Sequence, residues 1–369
     1  MRQLGISIYP DQSDFEHDKR YLQLAHRYGY SRIFTSLLQL KGSGGEDILA
    51  KFKQIVAYAS ELGFDTVVDV NPALFKELEL TYTDLHVLDD LGVWGVRLDE
   101  GFTGMEEAQM THNPFGIKIE LNMSRGTNYI DSIMPYAPEL DNLIGCHNFY
   151  PQEYTGLSDE IFMDYSRKYR KYSLHTAAFV SSHSASFGPW PVNEGLPTME
   201  SDRSRQIYSQ VMHLRLTGMI DDVVIGNAYA SESELAAAAA AFNTDYPTLQ
   251  VELADNISDL EKEIVLTPAH LYRGDASEYL LRDTLPRVVH SKESIASHNN
   301  AKGLVRGDVV VVNDGYERYK GELQIVLKEM PNDGRRNLVG RLIPDDLGLL
   351  VLVKPWNTFT LIEGASQDK

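Results

Sequence analysis

Cysteine is nearly absent from this chain. The single Cys146 permits no internal disulfide, which is the usage expected of a cytoplasmic protein. Basic residues are scarce beside acidic ones: 34 Lys and Arg against 53 Asp and Glu, a formal net charge of −19. Such a balance disfavours nucleic acid or an anionic membrane as the main partner, because both are held by a basic face. It leaves room for a small phosphorylated ligand, which needs only a few local cations. No run of about 18 apolar residues occurs, so no segment reads as a membrane span. The opening MRQLGISIYP lacks the charged-then-apolar layout of a secretory signal. Also missing are a Walker-type phosphate loop, a GxGxxG after a strand, an HExxH and any cysteine pair. His147, His175 and His183 are scattered over two strands, and Cys146 and His147 point to opposite faces of one strand. No cofactor and no metal are therefore expected.

What is present is a rhythm. Short β-branched runs recur at 4–10, 31–37, 65–71, 92–99, 116–122, 142–148, 175–182 and 221–227. Between them lie stretches with helical patterning, at 14–28, 46–62, 203–217 and 232–242. Strands alternating with helices of this size imply parallel pairing through crossover helices. Eight such units in about 230 residues predict a (β/α)8 TIM barrel; a doubly wound open sheet is the alternative. After residue 250 the character changes. EIVLTPAHLYR, YLLRD, DVVVVND, GELQIVL, RNLVGRLI, LLVLVKPW and FTLIE read as short strands separated by turn residues, which suggests a small closed β-structure. The expected organisation is α/β, with a barrel over 1–247, a connection, and an all-β domain over 258–369.

In a barrel of this kind, function gathers where the strands end. The stretch GCHNFYPQEYTG at 145–156 breaks an apolar strand into His147, Asn148 and Tyr150. Comparable polar ends occur at Ser7–Tyr9, Asp69–Asn71, Arg97–Glu100, Glu120–Ser124, Ser181–Ser184 and Gly226–Asn227. By the period of two, Arg97 shares a face with Asp99, and Glu120 with Asn122. Arg97 and Asp99 read either as a structural ion pair or as a functional carboxylate tuned by its neighbour. The segment 182–206 is the longest loop and carries Trp190, Glu194, Glu200 and Arg203. It reads as a rigid cover with an aromatic platform, or as a packing loop over the barrel mouth.

Several of these stretches resemble one bacterial family. They are GISIYP, RLDEGF, IELNMS, IGCHNFYPQEYTGL, GPWPVNEGLPTMESDR, DDVVIGNAYAS, YRGDASEYLLRD, VVVVND and YKGELQIVLKEMP. The family is the MupG-type 6-phospho-N-acetylmuramidases, some members of which are labelled "outer surface protein". The resemblance spans nearly the whole chain. It implies a TIM barrel followed by a small cyclophilin-like β-domain. It also implies a cytoplasmic glycosidase of bacterial peptidoglycan recycling. Its substrate would be N-acetylmuramic acid 6-phosphate β-1,4-linked to N-acetylglucosamine.

Hydrolysis of a glycoside commonly uses two carboxyls, one as acid and one as nucleophile or base. Asp99 and Glu120 are the first candidates because they sit on rigid strands. Glu194 is the third, with Glu100 and Glu153 behind it. The substrate's own acetamido group could replace the nucleophile, with Asn122 or Tyr9 orienting it. Asn148 and Tyr150 are candidates for holding hydroxyls, Tyr150 and Trp190 for stacking on a pyranose face, and His147 is a further substrate-binding candidate. For the phosphate and carboxylate, the candidates are Ser182, His183 and Arg203 at the barrel rim, with Arg273, Arg282 and Arg306 from the second domain; Glu200, a further rim carboxylate, and Asn227 complete the substrate-binding set. Two other classes stay open: a barrel isomerase or aldolase, for which Lys118 would supply a Schiff base, and a non-catalytic sugar-phosphate-binding protein.

Overall fold

A computed structural model of the chain describes residues 2–36, 45–77, 80–189, 191–192, 194–299 and 301–364. It divides into two compact units, Met1–Phe242 and Asn243–Lys369. The first is a closed barrel of eight parallel strands in chain order. They are β1 (Leu4–Ser7), β2 (Arg32–Ser36), β3 (Asp65–Val70), β4 (Gly95–Leu98), β5 (Lys118–Asn122), β6 (Leu143–Cys146), β7 (His175–Val180) and β8 (Asp222–Ile225). All eight runs anticipated from the sequence are strands, and the barrel, not the open sheet, is the fold. The long returns are helices, among them the amphipathic Phe15–Arg27 and Asp159–Arg170, the largely buried Ile207–Thr217 and the alanine-rich Glu232–Phe242. Each start has a local reason. Asp14 caps the first through the His17 amide at 2.9 Å, and Ser158 caps the second through that of Ile161. The returns after β3, β4 and β5 are made instead by helices of five to seven residues, such as Met105–Thr111. These are too short to show a helical period, so the sequence pattern passed over them.

Outside the barrel, Phe52, Val56, Leu88, Met110, Ile130 and Tyr169 pack on Val68, Val96, Ile119 and Leu143 in one apolar layer. Inside, the lumen is split by chemistry. One part is apolar and aromatic: Tyr9, Phe34, Cys146, Ala177, Phe179 and Val224. Phe34 and Phe179 meet edge-to-face at 5.1 Å between centroids. The other part is ionic. Arg32 on β2 reaches across the lumen to Glu120 on β5, and its other nitrogen lies 2.5 Å from Asp222 on β8. The His175 ring is 2.8 Å from that same Asp222.

The second unit carries a seven-stranded sheet ordered β10-β17-β9-β16-β13-β14-β11 and a two-stranded ribbon of β12 and β15. The strands are β9 (Thr248–Leu253), β10 (His270–Leu271), β11 (Leu280–Asp283), β12 (Gly303–Leu304), β13 (Asp308–Val312), β14 (Leu323–Val326), β15 (Met330–Pro331), β16 (Arg336–Leu342) and β17 (Thr358–Glu363). Three sequence readings need correction. The stretch after 247, read as a connection, contains β9 in the middle of this sheet. EIVL is not a strand but the end of helix Asp259–Val265. Its start is a capping box in which Ser258 and Glu261 each bond the other's backbone amide. LLVLVKPW is not a strand either: Leu349–Val351 end the 3-10 segment Pro344–Val351, which is opened by a proline preset for a first helical turn, and the remaining residues form a turn.

Because Arg32, Glu120 and Asp222 are buried together, removing one charge strands another. Glu120→Gln is expected to lower the barrel's stability by about 3–5 kcal/mol, read as a lower midpoint in urea. An unchanged midpoint would show that the pair has no structural weight.

Candidate active site

Among the described residues, two hollows open at the C-terminal ends of the barrel strands. The narrower, about 200 Å³, opens over the ionic part of the lumen and is lined by Ser36, Asp69, Arg97, Asp99, Asn148 and Phe149, with Pro151 and Pro189. Strand register brings these side chains together. Ser36 stands beside Asp69, Asp69 beside Arg97, and Arg97 beside Glu120. Arg97 is the hub. One of its terminal nitrogens lies 3.0 Å from Asp69 Oδ1 and 3.3 Å from Asp99 Oδ1. The other donates to Asn148 Oδ1. Its Nε is 3.9 Å from Glu120 Oε1, below. The two aspartates differ in surroundings. Asp69 is buried, whereas the Asp99 side chain is 39% exposed. Burial drives the Asp69 carboxyl up, the Asp99 charge adds to this, and Arg97 offsets only part, so its pKa is pushed up to about 7.

The wider hollow, about 630 Å³, lies among the loops after β6, β7 and β8, with Glu153, Ser182, His183, Glu194, Glu200 and Arg203 in its wall. Here the charged groups are engaged with one another. Arg203 Nε and one terminal nitrogen grip both oxygens of Glu200 at 2.7 Å. Its remaining N–H groups donate to the carbonyls of Gln152, Glu194 and Gly195. A guanidinium has five N–H donors, and all are used. Glu200 also accepts the amides of Tyr154 at 2.9 Å and Gly156 at 2.8 Å. The Arg203 hydrogen bonds and these amides hold its pKa down to about 2. At the neighbouring rim, Glu234 accepts from Ser182 Oγ at 2.6 Å, from the His183 amide at 2.7 Å and from Ser184 Oγ. Burial pushes that carboxyl up, but the hydrogen bonds from Ser182, Ser184, His183 and Ser231 prevail and hold it below its ordinary range.

With this geometry in place, the comparisons with known proteins can be read. Residues 4–240 match the model described as 6-phospho-N-acetylmuramidase, N-terminal, and residues 247–362 match 6-phospho-N-acetylmuramidase, C-terminal. The chain belongs to the MupG family. The MupG-family chain is 43% identical to an uncharacterized B. cereus protein of solved structure, over 98% of this chain and 99% of that one, with a TM-score of 0.91. It is 27% identical to a conserved Enterococcus faecalis protein of unknown function, over 99% and 97% of the two chains, with a TM-score of 0.74. No curated protein matches it.

The structure sorts the candidates named from the sequence. Asp99 and Asn148 meet at the narrow hollow. Glu120 does not reach it: it is 0% exposed and sits beneath Arg97 as a partner of Arg32. Tyr9 is core, its hydroxyl donating to Gly226 O at 2.5 Å. His147 points out of the barrel between Ser124 Oγ and Ser166 Oγ, at 3.0 and 2.9 Å. Burial, helped by the Arg97 charge, lowers its pKa to about 3, so it is a neutral packing group. Asn122 caps the turn at Ser124 and reaches Asp99 O at 3.3 Å. Tyr150 is half-buried and outside both linings. Asn227 lines the wider hollow but spends its amide on the Ser182 backbone. His183, Glu194, Glu200 and Arg203 gather at that same hollow, the last two as a clamp. Trp190 lies outside the described residues. Arg273 and Arg282 are in the second unit, where both pair with Asp275. Lys118, the aldolase candidate, opens β5 and bonds Asp141 O and Asn142 at 3.0 and 2.9 Å, away from the strand ends that carry both hollows.

Asp69, a strand end in the sequence and not among the candidates named there, belongs to the site; strand periodicity puts it inside the barrel, one strand from Arg97.

The Glu200–Arg203 clamp yields a test. Glu200→Ala removes two amide acceptors and the guanidinium's partner, hydrogen bonds to charge worth about 1.5–3 kcal/mol each. Limited proteolysis within 150–156 and 194–203 is expected to accelerate at least about tenfold. In the parent protein the clamp should weaken only as the pH falls below the ordinary glutamate range, and be lost through about 2. Equal cleavage rates would show that the clamp does not order these loops.

Proposed function

We propose that the narrow hollow hydrolyses the β-1,4 bond of N-acetylmuramic acid 6-phosphate linked to N-acetylglucosamine, within the cell and in the recycling of cell-wall material. The family description supports the phosphorylated muramic acid, and phosphorylation of imported sugar is an intracellular step. One observation carries the reaction class: Asp69 and Asp99, two carboxyls in contrasting surroundings, held by a single arginine nitrogen. One buried and one exposed carboxyl side by side suit acid and nucleophile roles. Asp69, with its pKa near 7, is the acid. Its proton goes to the glycosidic oxygen as the C1–O bond breaks, and the Asp99 carboxylate bonds to C1. Water then gives its proton to Asp69 while its oxygen attacks C1 and releases Asp99. Two oxygens sharing one nitrogen at 3.0 and 3.3 Å cannot be farther apart than the sum of those distances. With both Oδ1 atoms on one nitrogen, the proposed reaction is the retaining one, in which the second carboxylate bonds to C1 itself. Arg97 and Asn148 orient the pair, and Phe149 offers an apolar face to the sugar.

Incubating the protein with the 6-phosphorylated and unphosphorylated disaccharides, with products read by mass spectrometry, tests the substrate. Cleavage of the phosphorylated form alone is expected, and cleavage of neither removes the reading. Asp99→Asn and Asp69→Asn should each lower kcat/KM at least about a hundredfold. A general acid must be protonated, so kcat/KM should fall as pH rises through about 7. The first-formed sugar, followed by NMR, should retain its anomeric configuration; inversion would reassign Asp99 from nucleophile to base.

A further inference from the structure

The second unit carries a cavity of its own, about 440 Å³, on one face of the seven-stranded sheet. Register builds its floor. Arg282 on β11 stands opposite Gln324 on β14, and Arg336 on β16 opposite Val312 on β13. Glu322, two residues before Gln324, faces the same way. The floor is wired as a chain: Arg336 Nε donates to Gln324 Oε1 at 2.9 Å, and Gln324 Nε2 donates to Glu322 Oε1 at 2.8 Å. The chain then stops. Glu322 is 1% exposed, yet among the described residues its other oxygen, Oε2, accepts no hydrogen bond, with Arg287 standing off at 4.0 Å. A buried carboxylate oxygen without a donor is rare in folded proteins. This one lines a cavity, so a donor from a ligand would satisfy it. Tyr319, 45% exposed, adds an aromatic ring, with Tyr316 edge-on to it at 6.1 Å. In the lining, Arg282 and Arg336 are balanced by Glu322 and Asp275, and Arg282 is itself 3.1 Å from Asp275.

We propose that this cavity is a second binding site, for a neutral pyranose. Glu322 Oε2 accepts from one ring hydroxyl, a flanking guanidinium donates to its neighbour, and Tyr319 lies against the apolar face of the ring. An acceptor beside donors over an aromatic face fits a vicinal diol. Each guanidinium at the site already faces a carboxylate, Arg282 with Asp275, Arg287 with Glu322 and Arg336 with Asp333 at 3.7 Å, which leaves no surplus cation for a phosphate. The proposal is independent of the reaction assigned to the barrel and stands if that reaction fails.

The test is calorimetric titration of the full chain with N-acetylglucosamine, glucose and glucose 6-phosphate. The two neutral sugars should bind saturably, and glucose 6-phosphate no more tightly than glucose. Glu322→Gln should weaken the neutral sugars at least about tenfold, as loss of a hydrogen bond to charge does. Tyr319→Ala, an exposed position that leaves the fold intact, should weaken them comparably, while Asp99→Asn should not. Absence of saturable binding overturns the proposal. So does binding that Glu322→Gln and Tyr319→Ala leave unchanged, binding abolished by Asp99→Asn, or preference for the phosphorylated sugar.

Discussion

A buried guanidinium organises the first unit. Arg97 stands inside the barrel within reach of Asp99, two residues on, and of three side chains from other segments of chain: Asp69, Glu120 and Asn148. A charge in such a place is tolerated only when paired, so the strands around it must supply oxygen. Arg32 repeats the arrangement lower in the lumen with Glu120 and Asp222. The two arginines share Glu120. This explains why a carboxylate that looks catalytic in sequence is committed to structure, and why the acid–base work moves upward to Asp69 and Asp99. The aromatic remainder of the lumen, around Phe34 and Phe179, keeps water away from this side. Exclusion of water is also what lifts Asp69 toward neutral pH.

The two hollows at the strand ends illustrate how polar groups divide their labour. In the narrow one, carboxyls converge on one guanidinium and face open space. In the wider one, acids and donors are consumed by each other. Glu200 and Arg203 staple the loops at 152–156 and 194–203 together. Glu234 occupies the ring of hydroxyls and amides at Ser182–Ser184, where barrels of this class often hold a phosphate. The same residue types thus serve chemistry in one place and loop order in the other. Only the identity of the hydrogen-bond partners separates the two uses.

The alternation of eight apolar runs with helical stretches was sufficient for the barrel, because crossover geometry leaves few other ways to bury that many parallel strands. The family was legible in the motifs at the strand ends. The short helices between β3 and β6 were not, since one or two turns show no period. In the second unit, EIVL and LLVLVKPW have the composition of strands, yet a capping box draws the first into a helix, and a preset proline opens a 3-10 segment that takes the first three residues of the second. Local caps outweigh β-propensity where the sheet has no vacancy to fill.

By itself, then, the sequence determined which residues stand at the barrel mouth, since strand period and strand end are local properties. Partner choice was decided only by closure of the ring. Strand register set Asp69 against Arg97 and sent Arg32 across the lumen to Glu120, 88 positions away. It also turned His147 outward into the apolar face of Asp159–Arg170, beside Phe162. The physical reason is distance. A side chain's propensity depends on its neighbours in sequence, whereas its charge state, its exposure and its work depend on groups that folding brings within a few ångströms.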